Sequence, residues 1–370
     1  MLTAGDEYPV HQTPEPIAYS GSDRNFYDRY FFNGYSKDGE TFFAASFGVY
    51  PHINIMDGAV SILKNGKQTS VHLSRPLNME RMDTRVGPLS VEVIKPLSRV
   101  RLKLEETEGV SLDLEFTGRA FPIEEPRFTY RQGPRMLIDC TRMTQNGRWQ
   151  GSLSLDGETV EVSHDNWYGT RDRSWGVRPI GAADPQPIIP ARFPQFYWIW
   201  TPLNFEDRAV FFHVNDDALG AAWNTRAVVA REGATNDELE HMSACKCDVV
   251  YTPGTRRAAS GTIRIVDEKG GTSTVEMTPL STFQMKGIGY GHPEWGHGAF
   301  RGDQLATMRE DFVPADMNWA DPTNLHIQAI SKAVLTDPDG TQHEGIGSFE
   351  QLFMGPHAPS GFKDVLDPAS

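Results

Sequence analysis

The sequence predicts an all-β protein made of antiparallel strands, and three observations predict it. Apolar residues step by two along several stretches: Leu89, Val91 and Val93, then Val100, Leu102 and Leu104, then Val110, Leu112, Leu114 and Phe116. A period of two places one side of a strand in a core and the other in water. Hairpin dipeptides recur between such stretches, at Asp38-Gly39, Asp57-Gly58, Asn65-Gly66, Asp156-Gly157, Gly270-Gly271 and Asp339-Gly340. Helical patterning is scarce: only 235–242 and 302–311 read as short helices, with Asn236 and Asp303 near their starts.

In chain order, residues 1–23 lack both a basic start and an apolar stretch, so they read as an arm draped over the first domain rather than a signal peptide. A first domain is expected over 24–180. The proline-rich stretch VRPIGAADPQPIIPARFP loses all alternation, which places a linker at 181–194. QFYWIWTPLNFEDRAVFFHV then restarts as a hairpin and opens a second domain at 195–360, with a tail at 361–370. Each half has the length of one eight-stranded, lipocalin-sized barrel, a fold that holds one small ligand. The fold class expected is therefore two tandem lipocalin-like (calycin-type) antiparallel β-barrels. Exposed edge strands would suit a homodimer.

The 370 residues carry 35 basic and 49 acidic side chains, a net charge of -14. That balance argues against nucleic acid, whose phosphates demand a basic surface. No apolar run approaches the length of a membrane span. Cys140, Cys245 and Cys247 make no disulfide framework and read as strand cysteines in a reducing cytoplasm. No phosphate loop, dinucleotide fingerprint or nucleophile elbow appears, so no cofactor is expected. None of this excludes a neutral, hydrophobic small molecule as partner.

The densest chemistry lies in YGTRDRSWGVRP, residues 168–179. If it is extended, Arg171 and Arg173 point away from the face of Asp172, while Arg178 is free to fold back. Tyr168 shares the face of Asp172 unless Gly169 bulges the strand, so the two form a candidate acid–base pair. Against this stands a structural reading, in which Asp172 is locked to arginine and Trp175 plugs the barrel. Trp167, Trp175, Tyr197, Trp198 and Trp200 are candidate apolar walls. In GYGHPEWGHG, His292, Glu294 and His297 suggest a metal, but Pro293 and Gly296 forbid the helix that would align them, so no metal is expected. His292 reads instead as an acid, base or ligand contact, with Trp295 and His297 beside the ligand. His213 and His326 read as satisfied core histidines. Tyr50, His52 and Asn54 share a face if VYPHIN is a strand, which makes His52 a further contact.

Two barrels in tandem, D-x-x-W-G at Asp172–Gly176 and the tryptophan-rich strand carrying Trp198 and Trp200 together resemble one superfamily. It is that of the carotenoid 1,2-hydratases, related two-domain lipocalin-like proteins and fungal lipocalin-like pericyclases. The blocks FFAASFGVYPHINIMDGAVSI (42–62) and GYGHPEWGHGAFRG (289–302) look like an uncharacterised bacterial branch of it. The resemblance implies an apolar cavity and, in the hydratases, proton donation by the motif aspartate, which carries over to Asp172 alone. Arg173 stands where the hydratases commonly have histidine. The function expected is a cofactor-independent hydratase, dehydratase or double-bond isomerase acting on an isoprenoid, steroid or polycyclic molecule. A carrier or sensor of such a molecule, or a pericyclic cyclase, is the alternative.

Overall fold

The computed structural model of the chain describes residues 4–9, 18, 21–183, 186 and 195–370. Much of the expected arm and most of the expected linker thus lie outside the described residues. The protein is all-β, as expected: two tandem antiparallel barrels, with short 3-10 turns as the helical content of the described residues.

The first sheet runs in the order Ala306–Phe312, Lys67–Pro76, Ile55–Lys64, Thr41–Tyr50, Phe26–Ser36, Trp167–Val177, Arg135–Leu155, Val110–Gly118, Arg99–Thr107, Leu89–Lys95 and Arg85–Val86. The second runs Glu240–His241, Ala222–Arg231, Arg208–Asp216, Phe196–Phe205, Gln342–Met354, Ile327–Thr336, Thr272–Gln284, Ala258–Val266 and Ala244–Tyr251. One strand of the first sheet, Ala306–Phe312, therefore comes from late in the chain and pairs with Lys67–Pro76.

Each sheet curls around its own core. Tyr30, Phe32, Phe43, Trp149 and the alternating residues of 89–116 fill the first. Ile199, Leu203, Phe212, Ile263 and Phe349 fill the second. One indole inside the first barrel, Trp149, packs edge-on against Phe32, Phe43 and Phe116, with its Nε1–H donated to the Asn33 carbonyl at 2.8 Å. Trp175 is only half-buried. Gly169 produces no bulge; a Cβ there would lie 2.2 Å from the Trp149 indole nitrogen, so the glycine makes room for that ring while the register runs through unshifted.

A third apolar layer, built from the outer faces of both sheets, joins the barrels. Strand alternation makes it: Tyr27, Phe31 and Tyr35 face this layer while Tyr30 and Phe32 face the first barrel. Tyr168 of one sheet and Trp198 and Trp200 of the other face it too.

Three local expectations fail. The segment 302–311 is not a helix: residues 306–312 form a strand, because Asp311 accepts from Thr69 Oγ1 at 2.5 Å and Glu310 from His72 Nε2 at 3.0 Å across the pair. In 235–242, a 3-10 turn at Asn236–Glu238 gives way to the strand Glu240–His241. Asp57-Gly58 lies within Ile55–Lys64, and the hairpin before it turns at Pro51–Ile53 and Asn54, whose φ is 56°.

Candidate functional site

Alternation aims a set of polar side chains into the layer between the barrels. From the first sheet come Arg29, Asp57, Arg142, Thr144 and Asp172; from the second come Trp198, Trp200, His213, Gln328 and Glu350. Glu125, from the turn after Ile123–Glu124, is buried among them. It accepts from Arg142 Nη2 at 2.6 Å, Thr144 Oγ1 at 2.5 Å, Trp200 Nε1 at 3.2 Å and His213 Nδ1 at 3.1 Å. Burial pushes its pKa up, but the Arg142 charge and the His213 contact prevail and hold it well below the usual carboxylate range. Glu350 is handled alike: Trp198 Nε1, His326 Nε2 and Gln328 Nε2 reach it at 3.1, 2.7 and 2.7 Å, and its pKa is lowered despite burial. The Arg142 guanidinium lies 4.7 Å from the centre of the Trp198 ring, whose other neighbours are the stacked rings of Phe128 and His213.

Asp172 sits between these two anchored carboxylates. It is 8% exposed, and among the described residues no hydrogen bond or ion pair reaches its side chain. Burial raises its pKa from 3.8 to about 6; Arg142 opposes that shift and the negative charge of Glu125 adds to it. The strand Trp167–Val177 is extended, so Arg171 and Arg173 do point to the other side, into the first barrel. There Arg171 pairs with buried Glu7 of the N-terminal arm, and Arg173 pairs with Asp28 at 2.6 Å and covers the Tyr30 ring. The arginines flanking Asp172 thus serve structure, and their carboxylate partners are not Asp172.

A second cluster borders this one. His297 Nε2 donates to the Ile288 carbonyl at 2.9 Å, which leaves Nδ1 to accept from Arg29 at 3.1 Å and from Arg178 at 2.9 Å. Burial, then the two guanidiniums, holds the His297 pKa far below 6.5, so the ring is neutral. Tyr290 lies edge-on to both His297 and His326 and under both arginines. Arg178, Tyr290 and His297 line an open cleft of about 640 Å³, with Ile180 and Leu137 as apolar wall. Asp57 lies behind it. Its oxygens accept from Tyr50 Oη at 3.0 Å and the Gly298 amide at 2.6 Å, while burial raises its pKa to about 6.

The three candidate metal ligands of the glycine-rich segment part company. His292 meets His72 and Glu310, Glu294 is exposed near Arg301, and His297 goes to the arginines. His72, His292 and Glu310 place one ligand atom each within 4.8 Å of one another. The donor set fits a metal poorly, however. His292 Nδ1 accepts the backbone N–H groups of Glu294 and Trp295, so its neutral ring carries the proton on Nε2, the atom facing Glu310. A metal-bound histidine has the reverse arrangement. The cluster reads as a hydrogen-bonded triad that fastens the crossing strand to the first sheet.

Of the other residues singled out, Asp172, Tyr168, Trp198 and Trp200 share the inter-barrel layer, while Arg178 and His297 share the cleft. Trp167 and Tyr197 face the two barrel cores. Trp295 packs on His72, and Arg301 covers it. His52 is not on a strand; it is exposed on the 3-10 turn, against the Gly21 carbonyl. Tyr168 stands four residues from Asp172, roughly 13 Å along the strand. Its ring is surrounded by Lys37, Arg119 and Arg148. Sequence reasoning missed Arg29, Asp57, Glu125, Arg142 and Glu350. Strand alternation alone puts Arg29 beside Phe31, and no local spacing marks the others.

Fold and site together define a two-barrel protein with a buried, partly charged layer between its barrels. The chain matches the Family of unknown function (DUF8625) over residues 2–363 and belongs to it. No curated protein matches the chain. Among solved structures, a Nitrosomonas europaea protein described as AttH is similar over 94% of this chain and 98% of its own, at 13% identity and a TM-score of 0.53. Kievitone hydratase from Nectria haematococca is similar over 88% of each chain, at 12% identity and a TM-score of 0.54. CghA is similar over 89% of this chain and 88% of its own, at 8% identity and a TM-score of 0.51. At such identities the likeness is one of fold. Among the described residues, no helix is long and apolar enough to cross a membrane.

Proposed function

We propose that this chain is a cofactor-independent lyase or isomerase that moves a proton to or from an apolar, isoprenoid or polycyclic molecule, with Asp172 as the acid. The observation that carries the reading is Asp172 itself: interior, unpaired among the described residues and raised to about 6. A carboxylic acid that holds its proton near neutral pH can give it to an alkene carbon, leaving a carbocation at the neighbouring carbon. The Trp200 ring is an electron-rich wall for that cation. Water then adds to the cation and returns a proton to the Asp172 carboxylate, giving an alcohol. Alternatively, an adjacent carbon loses its proton to Asp172 and the double bond has moved. Either route ends with the acid restored.

The anchored partners of the two indoles support this reading. With Nε1 of each ring bound to a carboxylate, Trp198 and Trp200 are fixed in the layer; Arg142, Phe128 and His213 already lie against the Trp198 ring, so Trp200 is the one of the two that this reading uses as a wall. The fold shared with kievitone hydratase agrees with a hydro-lyase, and the D-x-x-W-G motif resembles that of the carotenoid 1,2-hydratases. Tyr168 and His292 have no part in this reading, because each is committed to a cluster of its own.

The test is native mass spectrometry of the purified protein against isoprenoids, sterols and polycyclic aromatics, followed by Asp172→Asn. Release of a compound shifted by one water identifies a hydratase or dehydratase. Turnover should fall by roughly 10²–10⁴ in Asp172→Asn. Undiminished turnover in a folded Asp172→Asn protein would sink the assignment.

A further inference from the structure

The cleft beside the layer is lined by arginines in an acidic protein. Arg24, Arg135 and Arg178 line it, and no Asp or Glu is among its described lining residues. Behind its wall lies Arg29, which is 2% exposed. Its Nη1 donates to His297, but Nε and Nη2 have no hydrogen-bond partner, and no carboxylate lies within ion-pair distance among the described residues. An unmade hydrogen bond on a buried charged group is costly, so such groups are rare unless something else fills them.

The pattern of what is unmade is informative. Nε and Nη2 form one edge of the guanidinium, with two N–H bonds in parallel. That edge matches the two oxygens of a carboxylate, which it binds through paired, charge-assisted hydrogen bonds. Arg178 adds a second guanidinium across the same histidine. Because His297 is neutral and only accepts from them, it orients both arginines without cancelling either charge. The carboxylates facing Arg29 at longer range are Asp57, occupied by Tyr50 and the Gly298 amide, and Asp172, itself unpaired. Arg29 thus touches the cleft wall through His297 and Tyr290 and acts on Asp172 from the other side.

We propose that Arg29 and Arg178 form a carboxylate-binding site, and that the ligand of this protein is an apolar molecule bearing a carboxylate. The proposal rests on the reading of the layer as a ligand site and deepens it by naming the substrate class. The acid group docks on the arginines, and the apolar body lies against Leu137, Tyr290 and Ile180. A neutral hydrocarbon would leave the guanidinium edge unfilled and bind more weakly.

The test uses adamantane-1-carboxylate and adamantane-1-carboxamide, one body with and without the charge. Binding to the full chain at pH 8 is read by titration calorimetry. The carboxylate should bind at least about tenfold more tightly than the amide, the factor that one charge-assisted pair supplies. Arg178→Gln should remove that preference. Arg29→Gln should do the same, and Arg29→Lys, which keeps charge but not the paired edge, should restore part of it; circular dichroism reports whether each variant folds. Equal binding of the two probes, or no binding of the carboxylate at millimolar concentration, would overturn the proposal. Carboxylate preference that persists in Asp172→Asn supports the anion site whether or not that variant turns over substrate. Turnover of a neutral alkene with no carboxylate preference would remove the anion site and leave the proton chemistry standing.

Discussion

Two pairs of carboxylates lie in the same buried layer and are held in opposite states. Glu125 and Glu350 are pulled below their ordinary pKa, whereas Asp57 and Asp172 are pushed up to about 6. Burial raises all four. The difference is contact: Glu125 has a guanidinium and a histidine within hydrogen-bond reach, and Glu350 has a histidine. Asp57 has a hydroxyl and an amide, and Asp172 has no contact partner among the described residues. A charge in contact outweighs burial, and a charge at longer range does not. In one layer the protein therefore keeps two anions for architecture and two acids that can still change their proton.

The largest effect on stability should come from breaking an anchored anion. Glu125→Gln leaves the half-buried Arg142 guanidinium uncompensated and should cost about 3 kcal/mol in urea unfolding at pH 7. A loss below that of a surface pair would show that Arg142 finds another partner.

Asp172→Asn should act in the opposite direction. The folded-state pKa of Asp172 is raised, so its favourable contribution is complete below the unfolded value of 3.8 and is lost as pH climbs through about 6. Asparagine removes that loss. The variant should be more stable than the parent by about 3 kcal/mol at pH 8 and no more stable at pH 4, checked by unfolding at both pH values. A gain independent of pH would mean that Asp172 does not titrate in this window.

Asp57→Asn sharpens the contrast. Both Asp57 oxygens accept a hydrogen bond, and asparagine keeps only one acceptor, so the gain from removing the charge is offset. The charge removal favours the variant by about 3 kcal/mol and the lost acceptor costs about 1–3 kcal/mol, so a net gain well below that of Asp172→Asn is expected at pH 8. If this variant is stabilised as much as Asp172→Asn, contact chemistry is not what separates the two acids.

The smallest effect should come from the surface pair Arg127–Asp139, bidentate at 2.6 and 2.7 Å. Its distances match those of Arg142–Glu125 and Arg173–Asp28, but water solvates both groups. Arg127→Ala should change stability by less than about 1 kcal/mol, and still less in high salt.

The fold was largely legible in the sequence because alternation and turn dipeptides are local signals. The stretches at 89–116 stepped by two and are strands with that face buried. The signals failed where tertiary contact decides. Residues 306–312 have a mild helical pattern, yet they pair with a strand more than two hundred positions earlier. Asp57-Gly58 carries a turn signature, but the chain had already turned at Asn54. The site was half legible. D-x-x-W-G marked Asp172, and alternation placed Arg171 and Arg173 on the other face. What surrounds Asp172 came from eight separate strands and turns, and Glu125, Arg142 and Glu350 share no spacing that a linear reading could find.

The crossing strand Ala306–Phe312 also sets an order of events during synthesis. Lys67–Pro76 emerges from the ribosome early, yet the strand that covers its free edge is made more than 230 residues later. At about 5–20 residues per second, that edge stays open for roughly 12–46 s, long enough to pair with another nascent chain. Its sequence, KQTSVHLSRP, places polar residues along most of the stretch, a composition suited to waiting in water.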